Sequence, residues 1–306
     1  MPDAAFNLYD DDQNPDLMEE MVAEQENVSL KKLLTKVTDL AVLPHVVFRV
    51  LELSGSSDHS TTEFERVITV DPGFSSKVLI LANSAAFALP KKVTSIKEAL
   101  MFLGFKSIRQ MAMTVGVFDL FVGKNDRESL RRRAWWRHSV DTAVCARWLA
   151  DGLKKLPGDD AYTCGLLHLI GKTLLDRLGE TDYKNVEDMV MFGIKDYKAE
   201  EAIYGCNHMD VAAAAAAKWG LSETLISGLH YAQACEEDDP FRYHRACTAI
   251  ATKIATLAVE GASGPMEEVA HCLPAWAMEI MGITPERAGQ IIDGGTAAIA
   301  TWNMQI

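Results

Sequence analysis

Apolar residues recur at three- and four-residue intervals from about Val28 to the end of the 306-residue chain, and no stretch sustains two-residue alternation. That period places apolar side chains along one face of a helix, so the pattern predicts helices and no sheet. Ser29 can cap a helix through Thr38, Leu43-Pro44 opens the next, and the polar SSDHSTTEFERVI supplies a loop followed by a capped helix. Asp71-Pro72 begins DPGFSSKVLILANSAAF, in which Phe74, Val78, Leu81 and Ala82 share a face, and Pro90 closes that unit. Ser95 caps IKEALMFLG, and a helix continues from Phe105 to Phe121 with apolar positions at 105, 108, 111, 112, 115 and 118.

A charged stretch, VGKNDRESLRRRAWWRH, separates this half from a second helical half. Three parts follow: an acidic, poorly ordered tail over 1–27, an N-terminal helical half over 28–125 and a second half over 126–306. Predicted helices of the second half cover Gly165–Leu175, the alanine run VAAAAAAKWG, Ser222–Ala234 and Tyr243–Glu260. Two more begin at Pro274 and at Thr284-Pro285.

Composition narrows the function classes. A formal charge of −13 argues against a surface built to track phosphate backbones, so nucleic acid is not the expected partner and a basic protein surface suits the chain better. The acidic start lacks the basic and apolar runs of a signal peptide, and no stretch reaches the ~20 apolar residues of a membrane span. Cys145, Cys164, Cys206, Cys235, Cys247 and Cys272 show no CxxC pair and read as small core residues in a reducing cytoplasm. The expected localisation is therefore cytoplasmic, away from the membrane.

The histidines of the second half are the informative cluster: His138 in WWRHSVDTA, His168 in LLHLIGK, His208 in GCNHMDVA and His230 in SGLHYAQA. They fall on successive predicted helices, and in a bundle such residues can converge on one cavity as metal sites do. The simpler reading satisfies each separately with a carbonyl or with solvent. Arg131, Arg132, Arg133 and Arg137, interleaved with Trp135 and Trp136, read as the solvated first turns of a helix whose tryptophans anchor it to the other half. Asp141 and Asp176 read as surface carboxylates. No phosphate-binding glycine loop and no nucleophile elbow occurs.

Taken together, LPHVVFRVLEL, ITVDPGFSSKVLILANSAAFALPKKVTSIKEALMFLGFKSIRQMAM, WRHS and LLHLIGK resemble the HDOD family of bacterial signalling proteins, with the specific pattern over residues 43 to about 120 and a weaker histidine pattern to about 255. The resemblance implies an all-α multi-helix bundle, an HD-domain-like C-terminal half packed on an N-terminal helical half. It also implies kinship with the HD phosphohydrolases, whose histidines and His-Asp doublet hold a metal pair. His168 stands where the doublet's histidine would be, but the next residue is Leu169; His138, His208 and His230 match other ligand positions, and Thr252 occupies the place of the late aspartate. Carboxylates bridge the ions and help generate hydroxide in such hydrolases, and leucine does neither.

The expectation is thus a non-catalytic signalling or regulatory module with a degenerate metal site, no catalytic residues and no cofactor, a single zinc or nickel ion at His138, His168, His208 and His230 being the open alternative. Its partner is expected to be a signalling protein, with self-association left open. The segment Asp71–Phe121 is expected to shape a partner surface or groove between the halves, with Lys91, Lys92 and Lys106 exposed on it. The competing readings are a metal-dependent phosphohydrolase of a nucleotide or cyclic dinucleotide, and a nucleic-acid-binding regulator.

Overall fold

The computed structural model describes residue 35 and residues 45–54, 61–84, 89–121, 126–178, 181–236, 238–260 and 272–303. The acidic tail and, apart from residue 35, the helix expected after Ser29 lie outside these residues. Among the described residues every regular element is an α-helix. In chain order they are α1 His45–Ser54, α2 Thr61–Thr69, α3 Pro72–Ala82, α4 Ile96–Phe121, α5 Asp126–Leu153, α6 Gly158–Leu167 and α7 Ile170–Leu178. There follow α8 Lys184–Met191, α9 Asp196–Tyr204, α10 His208–Lys218, α11 Glu223–Gly228, α12 Arg242–Glu260, α13 Ala275–Met281 and α14 Pro285–Asn303.

The most distinctive sequence pattern turns out to be written in capping chemistry. The Asp71 carboxylate accepts from the Phe74 amide at 3.0 Å and Pro72 opens α3, while the Ser75 hydroxyl donates to the Ile68 carbonyl at 2.8 Å and fixes α3 against α2. At the other end of α3 the Asn83 amide imitates a strand neighbour: it donates to the Val93 carbonyl and accepts from the Val93 amide, both at 2.8 Å. Ser95 accepts from the Glu98 amide and Glu98 accepts in return from the amide of Thr94, one residue before the cap, which closes the start of α4. ANS and VTSI are therefore two sides of one clamp. Inside α4, Gly104 has φ 76°, a conformation only glycine adopts cheaply, and the helix kinks there.

Two hydrophobic cores share α5. Val140 and Ala143 belong to a core running from Val46 on α1 through Phe64, Phe121 and Leu166 to Leu229. Cys145, Ala146 and Leu149, a turn or two further along, belong to a second core closed by Ile250, Ile254, Met281 and Ile292. A 28-residue helix can do this because its two ends face different neighbours, α4 near the start and α12 and α14 further on. Trp136 anchors it to the N-terminal half, its ring 5.3 Å from Phe118 and 5.4 Å from Phe121.

Several expectations need correction. The segment Gly165–Leu175 is not one helix: α6 ends at Leu167 and α7 begins at Ile170, with His168 and Leu169 in the turn between. Each half is drawn onto a different neighbour. A Cβ at Gly165 would lie 2.6 Å from the Ala143 Cα on α5, and one at Gly171 would lie 1.8 Å from the His208 carbonyl oxygen on α10. The helix expected over Ser222–Ala234 stops at Gly228, where α11 lies tightly against Cys164 of α6, and the chain then turns to bury Tyr231. Helices α8 and α9 had no counterpart in the sequence reading.

The basic turn is not solvated as a whole, and Asp176 is not a surface carboxylate. Arg132 and Asp176, 3% and 4% exposed, form an ion pair at 2.5 Å, and Arg131 joins it at 2.8 Å. Asp141 is buried as well and accepts from Arg137 at 3.3 Å. Of the six cysteines, Cys145, Cys164, Cys206 and Cys247 are buried, Cys235 is half-buried and Cys272 is exposed, so Cys272 is not a core residue.

Candidate functional site

The turn between α6 and α7 puts His168 at the centre of the second half. Its ring is wholly buried, with the His138 ring of α5 at 5.5 Å and the Tyr231 ring at 5.0 Å in edge contact. Nδ1–H donates to the Gly165 carbonyl at 2.7 Å, which leaves Nε2 as a bare lone pair with no hydrogen-bond partner. Burial, then the neighbouring His138, holds the His168 pKa well below its ordinary value. Burial, aided by Lys172, likewise lowers that of His138, to about 4. Both rings are therefore neutral at physiological pH.

His208 opens α10, placed there by Asn207, whose side-chain oxygen accepts from the Met209 and Asp210 amides. It belongs to a continuous buried network. The His208 amide and Nδ1–H both donate to one oxygen of Glu200, at 2.7 and 2.6 Å, and the Tyr183 hydroxyl donates to the other. On the far side the Tyr231 hydroxyl stands 2.9 Å from Nε2. Burial raises the Glu200 pKa, but the His208 imidazole and Lys172 outweigh it and hold the carboxyl below its ordinary value. Burial, with Asp196 and Glu200 beyond it, pushes the Tyr231 phenol well up, so it stays a donor. Lys172 pairs with Asp196 at 2.5 Å beside this network.

Of the four sequence candidates, His168 and His208 both meet the Tyr231 ring, and His138 joins them through its contact with His168. The fourth does not share a ring contact with them among the described residues. His230 turns instead toward Asp210, its Nδ1 3.9 Å from Oδ1, and burial lowers its pKa. Leu169, beside His168, is 5% exposed and packs in the first core. Thr252 sits on α12 with its hydroxyl buried and unpartnered. Sequence reasoning missed Glu200, Tyr183 and Tyr231. The only local cue to them was Tyr231 following His230 directly. Glu200 lies in KDYKAEEAIYG, where a lone buried carboxylate looks like any exposed helix acid.

The arrangement is an all-α module in which three imidazoles, two phenols and one carboxylate converge under a long shared helix. The model of the HDOD domain family matches residues 40–235, most of the chain, and the protein belongs to that family. The remaining helices α12 to α14 lie beyond the match. A solved HDOD domain protein with unknown function from Geobacter sulfurreducens superposes with TM-score 0.71 at 22% identity, covering 90% of this chain and 98% of that one. A structure from Shewanella amazonensis named "Putative phosphohydrolase" gives TM-score 0.68 at 23% identity, covering 88% and 97%. At these identities the likeness is one of fold. An uncharacterized protein of Treponema pallidum is 24% identical over 202 residues, 64% of this chain but 38% of the length of that relative.

The donor set bears on the metal that HD-type folds imply. Among the described residues no group of three or more His, Cys, Asp or Glu side chains is placed to hold a metal ion. His208 has both ring nitrogens engaged, and the position after His168 offers a leucine rather than an oxygen. The residues present do not fit a carboxylate-bridged metal pair.

Proposed function

We propose that the chain is a non-catalytic signalling module that acts through other proteins, its former metal centre converted into a packed, hydrogen-bonded core. The observation that carries this reading is Leu169, buried beside His168 where a bridging carboxylate would have to stand. Metal-assisted hydrolysis needs an oxygen ligand there to share charge between ions and to ready a water for attack. His208, locked between Glu200 and Tyr231, serves the fold instead. No helix among the described residues is long and apolar enough to cross a membrane, and a cytoplasmic regulator that binds a protein partner through the face containing Lys91, Lys92 and Lys106 suits the chain. Lys91, Lys92 and Lys106 are all exposed, and Lys91 also pairs with Glu98 at 2.7 Å.

One observation favours a second reading, a phosphohydrolase or at least a single-metal site. His168 offers Nε2 unpartnered while its Nδ1–H is held by a carbonyl, the geometry in which an imidazole is fixed for metal binding. The Shewanella structure carries a phosphohydrolase name. The experiment is a turnover assay on cyclic dinucleotides and phosphomonoesters with manganese or iron added. No turnover above the His168→Ala background is expected; turnover that His168→Ala abolishes overturns the non-catalytic reading.

A further inference from the structure

Away from the imidazoles, a cavity of about 510 Å³ opens at the seam where α3 and α4 meet α5. Its walls are apolar: Ile80 and Leu81 from α3, Val115 and Phe118 from α4, Trp136 and Val140 from α5. The volume falls in the range of small-molecule pockets, roughly 300–1,000 Å³. Polar chemistry is confined to a few points. Lys77 lies one turn before Ile80 on α3, Arg137 follows Trp136, and Ser84 closes α3 with a buried hydroxyl that has no hydrogen-bond partner. Thr114, also on the wall, is already committed to the Gln110 carbonyl and to Tyr162.

We propose that this cavity is a binding site for a free amphiphilic monoanion, an alkyl carboxylate whose tail lies against Trp136, Phe118 and Val140 and whose head meets Lys77 and Arg137. Three observations converge on that class. An unfilled apolar volume of this size beside a rim residue as exposed as Ile80, at 70%, calls for an apolar occupant. Lys77 and Arg137 stand on the rim, and among the described residues no carboxylate lines the cavity. The unpartnered Ser84 hydroxyl supplies a donor that a carboxylate oxygen can accept. Trp136, Arg137 and Val140 also bracket His138 and Ser139 on α5, so an occupant presses on the helix that forms one wall of the imidazole cluster.

The test uses the full chain and isothermal titration with monomeric decanoate, octanoate and decyltrimethylammonium, the last having the same tail with a cationic head. One-to-one saturable binding of decanoate is expected, about tenfold tighter than octanoate because two buried methylenes are lost. The ammonium should bind at least about tenfold more weakly than decanoate, and Lys77→Glu should weaken decanoate by about as much. Lys77 and Ile80 are exposed, so Lys77→Glu and Ile80→Asp test the rim with little risk to folding, whereas Leu81→Trp fills the cavity and should abolish binding. Absence of saturable binding overturns the proposal. So does equal affinity for both heads, or decanoate affinity unchanged by both Lys77→Glu and Ile80→Asp.

Discussion

Replacing Leu169 by aspartate asks whether this buried position has room for a carboxylate. Leu169 is 5% exposed and contributes to the first core, and truncating a leucine so placed costs about 2–5 kcal/mol in lost transfer energy and cavity formation. The aspartate adds a charge in a poorly solvated place beside a neutral His168, so a total on the order of 4 kcal/mol or more is expected at pH 7. For a chain of this size that lowers Tm by roughly 6 °C. Calorimetric melts of wild type, Leu169→Asp and the uncharged near-isostere Leu169→Asn separate packing from charge. Burial raises the new carboxyl's pKa, so the charge penalty is absent below the unfolded carboxyl value near 4 and grows as pH rises above it; the Asp and Asn variants should converge in acid. A Leu169→Asp chain as stable as wild type without metal refutes the repacked-core reasoning. A melt raised strongly by zinc, manganese or iron, and lowered again by His168→Ala, shows instead that the imidazoles still form a site that lacked only its oxygen ligand.

Three further outcomes follow from the same contacts. Gly171→Ala should cost several kcal/mol, because its Cβ would meet the His208 carbonyl at 1.8 Å and backbone cannot swing aside; a Tm within about 2 °C of wild type contradicts that packing. Asp176→Asn should cost about 3–5 kcal/mol by removing the buried charge that Arg132 and Arg131 share, whereas Glu187→Ala, removing a half-exposed partner of Arg131, should cost under about 1 kcal/mol; equal losses in urea unfolding count against a buried pair. His138 and His168 are held neutral in the folded chain and take up protons on unfolding below about pH 6.5. Stability should therefore fall as pH drops from about 6.5 toward 4, His138 alone accounting for something on the order of 3 kcal/mol, and urea midpoints of His138→Gln should show a shallower fall than wild type. Parallel curves refute the assignment.

How much of this was legible follows from the range over which each signal acts. Helix starts at Pro72, Pro274 and Pro285 and the cap at Ser95 were readable because capping is decided within four residues. The anchoring expected of both tryptophans held only for Trp136, which meets Phe118 and Phe121, whereas Trp135 turns to Tyr183 of the second half at 4.9 Å, a choice no local pattern marks. The break at His168 was not readable, since the local period through Leu166, Ile170 and Leu174 is that of one helix. It is broken by two close approaches, Gly165 on Ala143 and Gly171 on His208, between residues far apart in sequence. That break sets the ring of His168 against Tyr231. The site shows the same division. Histidine spacing and the leucine at 169 could be read residue by residue, but the fate of His208 depended on Glu200 and Tyr231, one from α9 and one from the turn after α11, neither marked by any pattern. A ligand set is a list of residue types and can be matched along a chain. Whether those side chains are free to bind depends on what else holds them, and for His208 both ring nitrogens are already engaged by partners that only the tertiary structure reveals.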